Sequence, residues 1–304
     1  MPKVLLGPSS FAAGDDAPRR RLIEAGFELV ENPYGRKLTK DELFDLLPGV
    51  TAILAGLEPL DAEVMERSEL KVISRCGSGM SNVDLEAAKR LGVEVRNTPD
   101  APVTAVAELT VGCLIAVLRG VGPMDRALHA RGWEKRVGRQ LKGATVVVVG
   151  YGRIGQATAA LVRAFGATVI VVDPCRTGSC DGSEVMGLAE ALPHADAVVL
   201  HCGGEERIIG EAEIASMRRG AVICNAARGG VLDEDAVAAA LESGQLGGVW
   251  LDVFSTEPYT GPLCDADNAL LTPHVGSYTA ECRFAMEMEA AENLIAAYAV
   301  AERS

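Results

Sequence analysis

The sequence is short of positive charge. Its 304 residues include 29 Lys and Arg against 42 Asp and Glu, a formal net charge of −13. Nucleic-acid phosphates are bound by clustered cations, so the balance argues against a nucleic-acid partner. An anionic substrate must find a local positive spot. Long apolar runs are missing too. Hydrophobic residues make up 48%, yet no uncharged run approaches the roughly 20 residues of a membrane span, and no membrane association is expected. The start, Met1-Pro2-Lys3-Val4-Leu5-Leu6-Gly7, enters a short apolar strand and lacks the basic, apolar and small-residue segments of a secretory signal. That points to the cytoplasm. Eight cysteines occur without a C-x-x-C pair. Cys175, Cys180 and His194 do not make the four closely spaced ligands of a metal site. No metal is expected, and the thiols read as free in a reducing compartment.

What is present is a regular alternation of short apolar runs and helix-like segments, the pattern of α/β layers around parallel sheets. The length is comfortable for two domains. In the first hundred residues the predicted strands are Lys3–Leu6, Glu28–Glu31, Ala52–Ala55, Lys71–Ser74 and Glu94–Arg96. Helices over Asp15–Ala25 and Asn82–Leu91 stop at Gly26 and Gly92. Val103–Leu118 reads as a long apolar helix behind Pro99 and Pro102. A second series begins at Thr145–Val149, apolar enough for a strand buried on both faces. Strands follow at Thr168–Val172, Ala197–Leu200, Ala221–Cys224, Gly248–Leu251 and Ala269–Leu271. The last helix, Ala280–Ala299, is long enough to return to the first domain. The expected fold is therefore α/β, with two doubly wound parallel-sheet domains. Residues 1–98 and 278–304 form a discontinuous substrate domain, and residues 99–277 a dinucleotide-binding Rossmann domain.

Gly150-Tyr151-Gly152-Arg153-Ile154-Gly155 fits G-x-G-x-x-G. The pattern alone is weak. Here it follows an apolar strand and opens a helix from Arg153 to Phe165, the context that gives it meaning. Gly150 permits the tight turn, Gly152 lets the backbone approach a pyrophosphate, and Gly155 lets helix and strand pack closely. Unpaired N–H groups and the positive end of the helix dipole then face the phosphates. Asp173 ends the next strand, where a carboxylate accepts from ribose hydroxyls and repels a 2′-phosphate. NAD is expected rather than NADP, with Arg176 as a residue that could soften the preference.

Arg228 follows the buried-looking strand Ala221–Cys224 and precedes a helix capped by Asp233. It therefore sits at the carboxyl edge of a parallel strand, where open α/β sheets bind ligands. A guanidinium there can hold a carboxylate by two prongs and polarise a neighbouring carbonyl. His274 ends another strand, in Thr272-Pro273-His274, and imidazole both gives and takes protons near neutrality. Glu257, in Glu257-Pro258, is the candidate carboxylate that orients its ring. A lone histidine or arginine after a strand is commonly structural; the combination carries the argument.

Together these segments resemble the D-isomer-specific 2-hydroxyacid dehydrogenases, and most of all their phosphoglycerate dehydrogenase branch. The stretch from Ile209 to Pro258 is similar to the family's signature region. Ser74-Arg75-Cys76-Gly77-Ser78-Gly79-Met80-Ser81-Asn82-Val83-Asp84-Leu85-Glu86-Ala87-Ala88 is similar to the branch's substrate loop, and so is Asn97-Thr98-Pro99 followed by Val106-Ala107-Glu108-Leu109-Thr110. The resemblance implies a flavodoxin-like substrate domain. It makes Arg228 the anchor of the substrate carboxylate, His274 the general acid/base and Glu257 its hydrogen-bonded partner. Backbone amides near Ser78 and Gly79 would assist with the carboxylate, and Arg75 would bind a substrate phosphate. Arg153 and Ile154 would contact the pyrophosphate, with Cys202, Ala226, Asp252 and Gly276 completing the cofactor site. Cys202 lies in His201-Cys202-Gly203-Gly204-Glu205-Glu206, which replaces a proline-and-leucine stretch of the relatives.

The expected function is hydride transfer between C2 of a D-2-hydroxy acid and NAD, in a cleft between lobes that closes near residues 98 and 276. The first substrate is 3-phosphoglycerate, oxidised to 3-phosphohydroxypyruvate. Hydroxypyruvate, glyoxylate or a longer 2-keto acid is the alternative, and a nicotinamide-sensing binding protein is the alternative from another class. The apolar helix Val103–Leu118 suggests a homodimer surface, unless it is buried within one subunit.

Overall fold

The computed structural model describes residues 1–204 and 206–301. It divides into two compact units, Met1–Pro102 with the chain from Ser277 onward, and Val103–Gly276. The sequence suggests boundaries at 98 and 278, but Pro99–Pro102 and Ser277 fall with the first unit. Thr98 donates its N–H to the Gly77 carbonyl at 3.2 Å and accepts the Gly77 N–H on its hydroxyl at 2.7 Å, and beyond it Ala101 packs against the first unit's core.

In the first unit, strands β1 (Lys3–Leu6), β2 (Glu28–Glu31), β3 (Ala52–Ala55), β4 (Val72–Arg75) and β5 (Glu94–Asn97) form a parallel sheet of order β2-β1-β3-β4-β5. This is the flavodoxin-like order, whose switch point lies between β1 and β3. Successive side chains alternate between faces. Leu5, Ile53 and Ile73 enter one core, while Val4, Leu6, Leu54 and Val72 enter the other. The final helix, Ala280–Ala301, covers the second core with Met286, Ala290, Ala291 and Leu294. It is pinned where the Ser74 hydroxyl donates to the Ala290 carbonyl at 2.7 Å.

The second unit carries β6 (Thr145–Val149), β7 (Thr168–Val172), β8 (Ser179–Cys180), β9 (Ser183–Val185), β10 (Ala197–Leu200), β11 (Ala221–Asn225), β12 (Leu246–Leu251) and β13 (Ala269–Leu271). Their order is β13-β12-β11-β10-β6-β7-β9-β8, and every pairing is parallel except β8 with β9. Val146–Val149, Ala197–Leu200 and Ala221–Asn225 are buried throughout, as continuous apolar strands between two helix layers should be. The β8–β9 hairpin turns at Asp181 and Gly182, with φ of 48° and 77°, the double positive φ of a type I′ turn. Its strands are too short for periodicity to reveal.

Helix Val103–Arg119 packs against the cofactor-turn helix Arg153–Ala164 and β12. A Cβ at Gly248 would stand 2.7 Å from Val117 Cγ1, so the bare backbone there lets the helix approach. The helix buries Ala105, Val106, Ala107, Val111, Leu114 and Leu118. Val103, Leu109, Ile115 and Val117 of the same helix are only half-buried. Exposed apolar side chains come after it instead: Val121, Leu128, Trp133 and Val137. No single helix among the described residues is long and apolar enough to cross a membrane.

Candidate active site

The carboxyl edge of the second sheet collects the sequence-predicted residues in strand order. Gly150 follows β6, Asp173 follows β7, Cys202 follows β10, and Ala226 and Arg228 follow β11. Asp252 and Glu257 follow β12, and His274 and Gly276 follow β13. That is the edge at which doubly wound sheets bind ligands.

The glycine turn is built to its tolerances. Gly150 has φ +90°, and a Cβ there would lie 2.5 Å from the Cys202 amide nitrogen, so Cys202 backbone touches the turn. A Cβ at Gly155 would meet the Gly150 carbonyl oxygen at 2.0 Å. At Gly152 a Cβ would meet nothing within 4 Å, the open side where a pyrophosphate fits. Gly152 caps the helix that starts at Arg153 with no side-chain cap, which leaves first-turn N–H groups to an anion. These are the features a dinucleotide requires. Arg153 is exposed at the helix start and Ile154 is half-buried.

Asp173 is fixed before any ligand arrives. Its Oδ2 accepts the Tyr151 N–H at 2.6 Å and its Oδ1 accepts the Cys175 N–H at 2.8 Å. Tyr151, buried in the middle of the turn, donates its hydroxyl to Asp181 Oδ2 at 2.9 Å. The β8–β9 hairpin is thereby fastened to the cofactor turn. Nothing in the sequence marks this tie, because Tyr151 occupies a variable position of the motif.

His201 lies under the turn. Its Nε2 is 3.0 Å from Thr158 Oγ1, while its Nδ1 is buried without a hydrogen bond. Burial pushes the imidazole pKa down to about 4.

Arg228 is half-buried and oriented locally. Asn225 Nδ2 donates to the Arg228 carbonyl at 3.0 Å, and Arg228 Nη1 donates to the Ala227 carbonyl at 2.6 Å. Beside it, a Cβ at Gly229 would fall 1.8 Å from the Phe254 carbonyl carbon. Glycine is needed because the Arg228 turn lies directly on the Phe254–Ser255 backbone. Glu234 Oε1 holds the far side by accepting both the N–H and the hydroxyl of Ser255 at 2.7 Å.

Glu257 and His274 meet. Glu257 Oε1 accepts the Phe254 N–H at 3.2 Å and its Oε2 lies 3.1 Å from His274 Nδ1. The other imidazole nitrogen, Nε2, makes no hydrogen bond among the described residues. Both side chains are exposed, at 37% and 42%. A cavity of about 270 Å³ lies elsewhere in this unit, at the opposite strand ends near Arg119 and Asn268. The larger one, about 490 Å³, borders Glu257 and His274 together with Phe254, Tyr259 and Leu271.

His274 holds φ +54°, a left-handed backbone that costs a non-glycine residue about 1 kcal/mol or more. The turn is kept by Asp252, which is only 2% exposed. Its carbonyl accepts the His274 N–H at 2.8 Å, its Oδ1 accepts the Val275 N–H at 2.9 Å, and its Oδ2 accepts the Gly276 N–H at 2.8 Å. The Asp252 carboxylate, which the resemblance assigns to the cofactor site, thus also accepts from the backbone that carries His274.

The first unit, taken by itself, presents Arg75, Ser78 and Gly79 at the end of β4. Arg75 is half-buried and donates through Nη1 to the Cys76 carbonyl. The Ser78 carbonyl accepts from Asn97 Nδ2 at 2.8 Å. One residue of consequence here is invisible to motif reasoning. Glu58 is 1% exposed, tucked between the ends of β1 and β3 at the switch point. Its Oε1 accepts the Gly56 N–H at 2.8 Å and would lie 2.0 Å from a Cβ at Gly7. Burial pushes its pKa up, against the pull of Arg75 and Lys37. Only the flanking glycines could have hinted at it. Of the stretch His201–Glu206, Glu205 lies outside the described residues.

Residues 111–276 match the family profile described as "D-isomer specific 2-hydroxyacid dehydrogenase, NAD binding domain". The chain is 35% identical over 268 residues to the hydroxypyruvate reductase of Thermotoga maritima, covering 84% of this chain and 88% of that one. It is 37% identical over 267 residues to the D-3-phosphoglycerate dehydrogenase of Mycobacterium leprae, of which it spans half the length, with 84% of this chain aligned. The crystal structure of a glyoxylate reductase from Paecilomyes thermophila superposes with a TM-score of 0.86 at 30% identity, covering 96% of this chain and 94% of that one.

Proposed function

The chain belongs to the D-isomer-specific 2-hydroxyacid dehydrogenases, and from that premise we propose that it interconverts 3-phosphoglycerate and 3-phosphohydroxypyruvate with NAD. The NAD-dependent dehydrogenase class itself is a property of the family. The observation that carries the chemistry is the contact of 3.1 Å between Glu257 and His274, on the same sheet edge as Arg228. When bound, NAD would supply the hydride acceptor for C2 on oxidation and NADH the hydride donor on reduction. Gly150, Gly152, Gly155, Arg153 and Ile154 would hold its pyrophosphate and Asp173 its ribose.

The protein's own groups do the rest. Arg228 holds the substrate carboxylate and favours charge on the adjoining oxygen. His274 Nε2 takes the hydroxyl proton on oxidation and supplies it on reduction. Glu257 fixes the ring and its tautomer through Nδ1. Ser78 and Gly79 add N–H donors: no hydrogen bond within the chain engages either amide among the described residues. Arg75 supplies a cation for a phosphate.

A second substrate reading is favoured by Glu58, an acid within electrostatic reach of Arg75 that weakens its hold on a dianion. On that reading the substrate is an unphosphorylated 2-keto acid such as hydroxypyruvate or glyoxylate. Nicotinamide absorbance with 3-phosphoglycerate, glycerate, hydroxypyruvate and glyoxylate separates the two. Turnover of 3-phosphoglycerate at the highest kcat/KM supports the first. A preference for hydroxypyruvate or glyoxylate supports the second, and no turnover of any acid overturns both.

We propose further that the protein is a cytoplasmic homodimer. Supporting this are the eight free thiols and the apolar side chains of the segment after helix Val103–Arg119. Trp133, 81% exposed, lies there with Val137, Leu128 and Val121, and a second copy would cover them.

A further inference from the structure

The last strand pair of the second sheet contains a hydrogen-bond chain that the chemistry above does not use. Trp250, wholly buried on β12, donates Nε1–H to Thr272 Oγ1 at 3.0 Å. The Thr272 hydroxyl lies 2.6 Å from Asp252 Oδ1. The direction of this chain is fixed by chemistry. An indole N–H only donates and a carboxylate only accepts, so the hydroxyl must accept from Trp250 and donate to Asp252. Its rotor is locked.

Asp252 then has its oxygens divided between two sides. Oδ1 takes the Thr272 hydroxyl and the Val275 N–H, and Oδ2 takes the Gly276 N–H. Successive N–H groups after a left-handed residue form a concavity for an anion, and the anion here is the protein's own carboxylate. The turn it closes holds His274 at φ +54°, with the His274 N–H donating to the carbonyls of Asp252 and Thr272 at 2.8 and 3.0 Å. A Cβ at Gly276 would stand 3.1 Å from Asp252 Oδ2, so there is little slack around the carboxylate.

We propose that Thr272 is a positioning residue for the proton-transfer histidine. Its hydroxyl, oriented by Trp250, aims the Asp252 carboxylate into the Val275–Gly276 amides and so sets the left-handed turn that points His274. The inference rests on the role given to His274 above. Loss of the hydroxyl removes one of the three donors that hold the Asp252 carboxylate, so the turn loosens and the imidazole loses its aim. A misplacement of about 1 Å costs on the order of a hundredfold in rate.

The test compares Thr272→Val, close in shape but without the hydroxyl, with Thr272→Ser, which keeps it. The expected result for Thr272→Val is a fall in kcat of roughly tenfold to a hundredfold, with NADH affinity by fluorescence titration within about twofold of the parent. Amide hydrogen exchange at Val275 and Gly276 should quicken locally while the core strands keep their protection. Thr272→Ser should restore both. If Thr272→Val fails to fold, Trp250→Phe keeps the hydroxyl but removes what orients it, and should quicken the same two amides. Parental kcat and unchanged exchange at Val275 and Gly276 in either variant would overturn the inference. His274→Asn, assayed alongside, keeps the two claims apart. If it retains activity, the role of His274 fails; if it is inactive while Thr272→Val is unaffected, only the role of Thr272 fails.

Discussion

Asp173 accepts the backbone N–H of Tyr151 at 2.6 Å, so the carboxylate proposed to hold a ribose also braces the glycine turn proposed to hold a pyrophosphate. Cofactor choice and loop order are joined in one side chain. Asn in its place keeps one oxygen for the Tyr151 N–H and loses the negative charge.

Asp173→Asn should therefore raise the KM for NAD and improve the ratio of NADP to NAD kcat/KM by about tenfold, roughly the 1–2 kcal/mol of one charge-assisted contact. Asp173→Ala should lose the brace as well and melt at a lower temperature than Asp173→Asn. Steady-state kinetics with both dinucleotides and a thermal melt check this. Equal melting of the two variants would remove the bracing role.

Glu58 gives a pH-dependent stability. Its folded-state pKa is raised by burial, so the folded protein binds this proton more tightly than the unfolded chain. The group favours folding below its unfolded pKa, and that contribution is lost as pH rises through the folded value. Glu58→Gln, a neutral mimic, should stabilise the protein at pH 8 and have little effect near pH 4. Urea unfolding at the two pH values decides it. A destabilisation at pH 8 would mean that the pairing with Arg75 outweighs burial.

His201 works in the opposite sense. Its folded pKa lies at about 4 against an ordinary 6.5, so its contribution is complete above pH 6.5 and fades as pH falls towards 4. The acid limb of a stability–pH curve should be shallower in His201→Asn across that window. Parallel limbs for parent and variant would contradict it.

Gly229 is a packing requirement. With a Cβ 1.8 Å from the Phe254 carbonyl carbon, Gly229→Ala must push the Arg228 turn away from the loop that holds Glu257. It should cost about 2 kcal/mol or more in stability and at least about a hundredfold in kcat/KM. Gly187→Ala, where a Cβ meets nothing within 4 Å, is the control that should stay near the parent.

Much of this was legible in the chain. Val146–Val149 and Ala197–Leu200 announce buried parallel strands because both faces are covered, and a glycine turn after such a strand specifies the dinucleotide edge. Asp173, Arg228 and His274 could be placed because each follows a strand whose carboxyl end the pattern defines. What stayed hidden depends on contacts between segments distant in sequence. Tyr151 bonds Asp181 across 30 residues, and Thr272 bonds Asp252 across 20; neither spacing has a periodic signature. Glu58 reads as a turn glutamate, since burial at the β1–β3 switch point follows from topology. The apolar content of helix Val103–Arg119 shows that it is covered but not by what, because composition does not tell a subunit's interior from an interface.

The most direct test of the central claim is the kcat of His274→Asn in the nicotinamide absorbance assay, on whichever acid the parent turns over best, with dinucleotide affinity measured in parallel by fluorescence. The expected result is a fall of about a hundredfold to ten-thousandfold with the dinucleotide still bound at parental affinity. A variant that turns over within about tenfold of the parent would contradict it.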